Sequence, residues 1–199
     1  AVLGFAMAVA SGTIVWEAAT NQQVDVLTHE EDIVLDGAIS PDGRTLVAVA
    51  VAESDDGFES RLQIWDLSTH TLARVVPSPA GLLTTADFSD DGRQLVTQGG
   101  PRMDGTDRTD ALIWDTASWT PVGDPWILDQ PYLTDGLLVV SPDGERIATI
   151  TVDETVQAWT VDDRRPLGPP LRPDVGPPTA LAFASDGTLA IAGDASRVV

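Results

Sequence analysis

The 199-residue chain has no cysteine and no lysine, only two histidines and one tyrosine, and no apolar run long enough to cross a bilayer. Each absence closes a class of function. Without Cys there is no disulfide framework and no thiolate nucleophile. Without Lys there is no P-loop lysine, no Schiff base and no kinase-type phosphate clamp. His29 and His70 are 41 positions apart, the first ahead of an inner strand and the second in a turn, so a shared metal or Ser-His-Asp role is not expected. The apolar stretch 1–10 is too short to span a membrane and reads as a buried strand, so membrane insertion is not expected either. The lack of thiols leaves cytosol and exterior both open; the working expectation is a cytoplasmic protein, with a membrane-anchored or extracellular parent as the alternative.

Positive charge is scarce. All 11 basic residues are Arg, set against 31 acidic ones, for a formal net charge of -20. Nucleic acids and anionic membranes bind through clustered Lys and Arg, so this balance repels them and favours solubility and, at most, basic partners. The acids are 24 Asp and 7 Glu. Glu is the better helix former and Asp favours turns and caps, so the composition describes a turn-rich, all-β chain.

What the chain does have is period. Ser40-Pro41-Asp42-Gly43 returns as Ser89-Asp90-Asp91-Gly92, Ser141-Pro142-Asp143-Gly144 and Ala184-Ser185-Asp186-Gly187. Between these turns stand Val15-Trp16-Glu17, Ile64-Trp65-Asp66, Ile113-Trp114-Asp115 and Ala158-Trp159-Thr160. Self-similarity every 40 to 50 residues is the mark of a repeat architecture. From each Trp to the next turn Gly the gaps are 27, 27, 30 and 28; from turn Gly to Trp they are 22, 22 and 15. The variation is confined to the second interval.

Within one unit, 34–39 leads into the turn and 45–52 leaves it, with Pro41 suited to the first central position and Gly43 to the left-handed one. Strands at 62–67 and 71–76 complete a count of four. Residues 45–51 are apolar on both alternating faces, as a strand covered on both sides must be. Four-stranded sheets stacked face to face around an axis satisfy that requirement, and a β-propeller is the expected fold.

Phe88-Ser89-Asp90-Asp91-Gly92, Ile64-Trp65-Asp66, Ile113-Trp114-Asp115 and Asp153-Glu154-Thr155-Val156-Gln157-Ala158-Trp159 resemble WD-repeat β-propellers. Arg165-Pro166-Leu167-Gly168-Pro169-Pro170-Leu171 resembles the long WD-repeat arrays of bacterial signalling proteins. The resemblance implies structural repeat positions at Gly43, Trp65, Asp66, Gly92, Trp114, Asp115, Gly144, Trp159 and Gly187. It also matches Asp153, Thr149 and Trp159 to a hydrogen-bonded network within one blade, and puts only His29 near the place of the family's His. The implied function is a non-enzymatic protein-protein interaction scaffold within a larger signalling or regulatory protein. The alternative is an accessory propeller that gates or positions substrate for a hydrolase.

Blade limits follow from the repeat: 1–28 (partial), 29–79, 80–129, 130–174 and 175–199 (partial). An open blade face exposes apolar surface and unpaired edges, so the expectation is an incomplete propeller whose remaining blades come from further sequence or another chain. Partner recognition is expected in the variable interval, at 53–60 and 99–110, with Phe58, Arg102, Met103 and Arg108 at one mouth. Asp104, Asp107 and Asp110 recur every third residue beside Gly105, but they lack the alternating ligand frame of a calcium loop, and no metal is assigned. No cofactor and no catalytic residue are assigned. Trp119, Trp126 and Tyr132, set among Pro121, Pro125 and Pro131, read as packing at a blade's outer edge.

Overall fold

The computed structural model describes residues 4–9, 12–17, 22–28, 32–54, 57–79, 81–99, 109–128, 138–151, 153–174 and 176–194. Among them there is no helix, and every strand pair is antiparallel. The first sheet comprises β1 (Gly4–Val9), β2 (Gly12–Glu17) and β3 (Gln22–Thr28). The second has four strands in chain order: β4 (Ile33–Ile39), β5 (Thr45–Ser54), β6 (Gly57–Asp66) and β7 (Thr71–Pro77). In the third, β8 (Leu83–Phe88), β9 (Gln94–Gly99) and β10 (Thr109–Asp115) are followed by an outer strand in two pieces, β11 (Thr120–Pro121) and β12 (Trp126–Leu128), both paired to β10. The fourth comprises β13 (Leu138–Val140), β14 (Arg146–Ile150) and β15 (Val156–Thr160), and the fifth β16 (Pro178–Phe183) and β17 (Leu189–Gly193).

The Asp-Gly turns join the first two strands of the last four sheets. Ser40 Oγ donates to Asp42 Oδ1 at 2.6 Å, the Arg44 amide donates to the same oxygen at 3.0 Å, and the Thr45 amide donates to Ser40 Oγ at 2.9 Å. The same set forms around Asp91 and around Asp143. Ala184 has no hydroxyl, and there Asp186 is held by Thr188, through its amide at 2.9 Å and its side chain. Gly43, Gly92, Gly144 and Gly187 sit at φ 72, 68, 71 and 82, a left-handed backbone that costs a residue with a Cβ about 1 kcal/mol or more. Successive turns touch: a Cβ on Gly92 would meet Pro41 Cδ at 3.5 Å, and one on Gly144 would meet Ser89 Cβ at 3.4 Å.

Because strand side chains alternate, consecutive residues enter cores on opposite faces of their sheet. Leu46 and Trp65 pack with Val15 and Leu27 of the first sheet. Val47, Val49 and Ile64, on the other face, pack with Leu83, Phe88 and Trp114 of the third. Val96 and Ile113 join Leu138, Val140 and Ile147, and Ala148 and Val156 join Leu181. Each pair of successive sheets therefore encloses its own apolar layer. The Trp of each third strand faces backwards: Trp65 toward the first sheet, Trp114 toward the second, Trp159 toward the third. The first strands are also neighbours, β4 packing on β1 and β8, β8 on β13, and β13 on β16.

Three local features differ from the sequence reading. The interval 53–60 is not a long loop: β5 and β6 stay paired out to Ser54 opposite Gly57. Polar residues there extend a two-stranded ribbon beyond the apolar layers, and backbone pairing needs no apolar side chain. The outer strand of the third sheet breaks at Val122–Pro125, because Pro121 and Pro125 have no N–H to give the ladder. Along β15 the fourth strand is reduced to bridges of Trp159 with Pro166 and Val156 with Leu171. Between them Gln157 Nε2 donates to the carbonyl of Gly168 at 3.1 Å, supplying a hydrogen bond where the prolines interrupt the ladder.

Candidate functional site

The two ends of the sheets offer different surfaces. At one end lies the tip of the β5–β6 ribbon; at the other lie the Asp-Gly turns and the turns that lead from third to fourth strands. A ten-residue strand separates them by about 30 Å.

At the ribbon tip, Phe58 pairs with Glu53 and is 51% exposed. The ladder holds it in place, so its ring is presented on a fixed backbone. Ser60, two residues along, is buried, and its hydroxyl accepts the Leu83 amide at 2.8 Å, tying the ribbon's base to the third sheet. Arg102, Met103 and Arg108 lie outside the described residues, as do Asp104, Asp107 and His29. Asp110 is buried at the start of β10. Of the four residues expected at one mouth, Phe58 alone is thus placed.

At the turn end, a cleft of about 810 Å³ opens between the second and third sheets. Buried Ile64 and Phe88 and half-buried Trp119 line it, and Trp65, whose indole packs toward the first sheet, borders it. Asp42, Asp66 and Asp91 line it together with Arg44, and exposed Arg93 lies beside Asp91. Trp119 holds φ 57 in the turn after β10, its amide donating to the Asp115 carbonyl at 2.7 Å. Arg74 Nη1 reaches from β7 to the Ser118 carbonyl at 2.8 Å and fixes that turn to the second sheet.

The rim carboxylates are fully ionised at neutral pH. The Ser40 hydroxyl and the Arg44 amide hold Asp42 below the usual carboxylate range. The Ser68 hydroxyl and amide do the same for Asp66, and the Arg93 amide with the Ser89 hydroxyl for Asp91. Among the described residues these bonds go to Oδ1 of Asp42 and Asp66, and Oδ2 of each takes none. Asp91 Oδ2 lies 3.8 Å from exposed Arg93 Nε.

Elsewhere the buried polar groups do structural work. Arg61 and Gln63 both donate to buried Asp32, and Gln63 Oε1 accepts Trp65 Nε1 at 3.2 Å, a chain along one face of β6. Trp114 Nε1 donates to Thr97 at 3.0 Å. The network implied for Asp153, Thr149 and Trp159 does not form. Asp153 accepts the nearer hydroxyls of Thr151 and Thr155, while Thr149 Oγ1 and Trp159 Nε1 are buried with no hydrogen-bond partner among the described residues. Trp159 instead meets Trp126 edge to face, ring centroids 5.5 Å apart. Asp36 accepts the Ala86 amide at 2.9 Å and Asp87 the Val140 amide at 3.1 Å, linking successive sheets. Burial pushes Asp87 up to about 6.

The cleft is the feature that sequence reasoning missed. Asp42, Asp66 and Asp91 were visible as recurrent turn residues, but the space between them arises only when two sheets stack. The one available signal was the recurrence itself, which puts like charges at matching heights on adjacent repeats. Among the described residues no group of three or more His, Asp or Glu is arranged to hold a metal ion. No protein-family model matches the chain, and no curated protein matches it.

Proposed function

We propose that the sheets are consecutive blades of a WD-repeat type β-propeller and that the chain is a non-enzymatic scaffold recognising a protein partner. The neighbouring first strands and the apolar layer between each pair of sheets support the propeller reading, since blades around an axis require both. The observation that carries recognition is Phe58. An aromatic ring half exposed on a hydrogen-bonded ribbon tip provides contact area at little ordering cost, the property of interface anchors. The charge of -20 makes a nucleic acid or an anionic membrane the wrong kind of partner.

The test is a pull-down followed by titration of whatever is captured against Phe58→Ser. Loss of about tenfold in affinity, equivalent to about 1.4 kcal/mol, is expected. Unchanged affinity would remove the ribbon tip from the interface. A point change is the better probe than deleting 54–60, because that deletion also removes the Ser60 hydroxyl that holds the Leu83 amide.

A further inference from the structure

The turn-end cleft combines features that the recognition reading leaves unused. Its volume lies in the range of sites that take up a ligand group. Ile64, Phe88 and Trp119 give it an apolar lining, and three carboxylates share it with the Arg44 guanidinium, Arg93 lying beside Asp91. We propose that this cleft docks a basic, arginine-bearing segment of a protein partner, one guanidinium reaching the rim carboxylates while its stem and plane lie along Trp119. The inference rests on the recognition reading, but on the opposite end of the sheets from Phe58.

Three arguments select arginine. A carboxylate oxygen without a local donor suits the planar fork of a guanidinium, which can bond to it and to a neighbouring acceptor together. Trp119 gives that plane a face to stack on, which an ammonium uses less well. Charge complementarity disfavours an acidic segment: three carboxylates line the cleft against Arg44, and Arg93 already lies beside Asp91. The Arg44 backbone serves the turn through its amide and its carbonyl, so its side chain can be changed without disturbing the fold.

Fluorescence polarisation with three labelled peptides of one length, alternating glycine with arginine, lysine or glutamate, tests the proposal on the whole chain. The arginine peptide is expected to bind tightest and the glutamate peptide not at all. Arg44→Glu should tighten arginine-peptide binding by roughly two- to fivefold, since it replaces the cation that lines the cleft with a carboxylate. This gain cannot come from misfolding. Trp119→Asn, which keeps a residue tolerant of the left-handed backbone, should weaken binding by about threefold at unchanged net charge. Asp66→Asn should weaken it to a similar degree while retaining the Oδ1 acceptor of its turn. Binding that falls with salt but ignores Arg44→Glu and Trp119→Asn is attraction to the general acidic surface, and overturns the cleft. Equal binding of arginine and lysine peptides in every variant overturns it too. If Phe58→Ser abolishes peptide binding and the cleft variants do not, the cleft inference fails and the recognition reading stands. If the cleft variants respond while no protein partner senses Phe58→Ser, the ribbon reading fails and the cleft stands.

Discussion

Asp143 and Asp87 carry the same carboxyl group and are pushed in opposite directions. The Ser141 hydroxyl, the Glu145 amide and Arg146 bring Asp143 down to about 2, whereas desolvation brings Asp87 up to about 6. An Asp whose folded pKa lies below its unfolded value stabilises the fold above about pH 4 and loses that contribution as pH falls toward its folded value. Asp143, Asp42, Asp91 and Asp186 all act in this sense. Asp87 acts in reverse: the folded state holds its proton more tightly, so stability falls as pH rises from about 4 to about 6. Maximum stability is therefore expected near pH 4 to 5, measurable by urea unfolding across pH. Asp87→Asn, which still offers an oxygen to the Val140 amide, should stabilise the protein above pH 6 by up to about 3 kcal/mol and flatten the upper limb. A wild-type curve still rising between pH 5 and 7 would refute the assignment. At this scale the sequence was highly legible where bonds are local, as in Ser40, Asp42 and Gly43. Asp87 was not legible, because its acidity depends on a sheet whose Val140 lies 53 residues away in the chain.

At the scale of elements, the interface between sheets decides what a tryptophan is worth. Trp114 is fully buried and its Nε1 is bonded to Thr97; Trp159 is only half-buried and its Nε1 has no partner among the described residues. Replacing Trp114 by Phe opens a void and strands a buried hydroxyl, whereas Trp159→Phe removes a group that is already unsatisfied. Thermal or denaturant unfolding should show Trp114→Phe to be the costlier change by about 1 to 2 kcal/mol. Equal costs would mean that the indole bond to Thr97 contributes nothing. The sequence assigned both residues the same role, since motif position records where a Trp stands along a strand and not which neighbour lies beyond its ring. Strand existence was legible from apolar runs such as 45–51. The ribbon of Glu53, Ser54, Phe58 and Glu59 was not, because pairing beyond the core leaves no apolar pattern.

At the scale of the molecule, each sheet packs on its neighbours in sequence, so stability is close to a sum of sheet and interface terms. Sheets covered on both faces should open last. Hydrogen exchange is expected to be slowest in β5, β6, β9 and β10, whose central residues are buried, and faster in β16 and β17, which bury Leu181 on one face and expose Ala180, Ala182, Ala190 and Ala192 on the other. Uniform protection across all sheets would show a single cooperative unit instead. The all-β class was legible from the Asp-rich composition and the recurring Asp-Gly turns. How sheets sit about one another was not, because turn-to-Trp spacing measures distance along the chain and says nothing of the angle between layers.

The backward-facing tryptophans give the stack a direction. In the second, third and fourth sheets one face presents an indole and the other aliphatic side chains, so the two faces differ and neither is complementary to itself. Association through such faces is head to tail: it closes into a ring when the rotation per layer divides a full turn, and otherwise grows as a filament. A two-fold dimer, with like face on like, is the one arrangement this geometry disfavours.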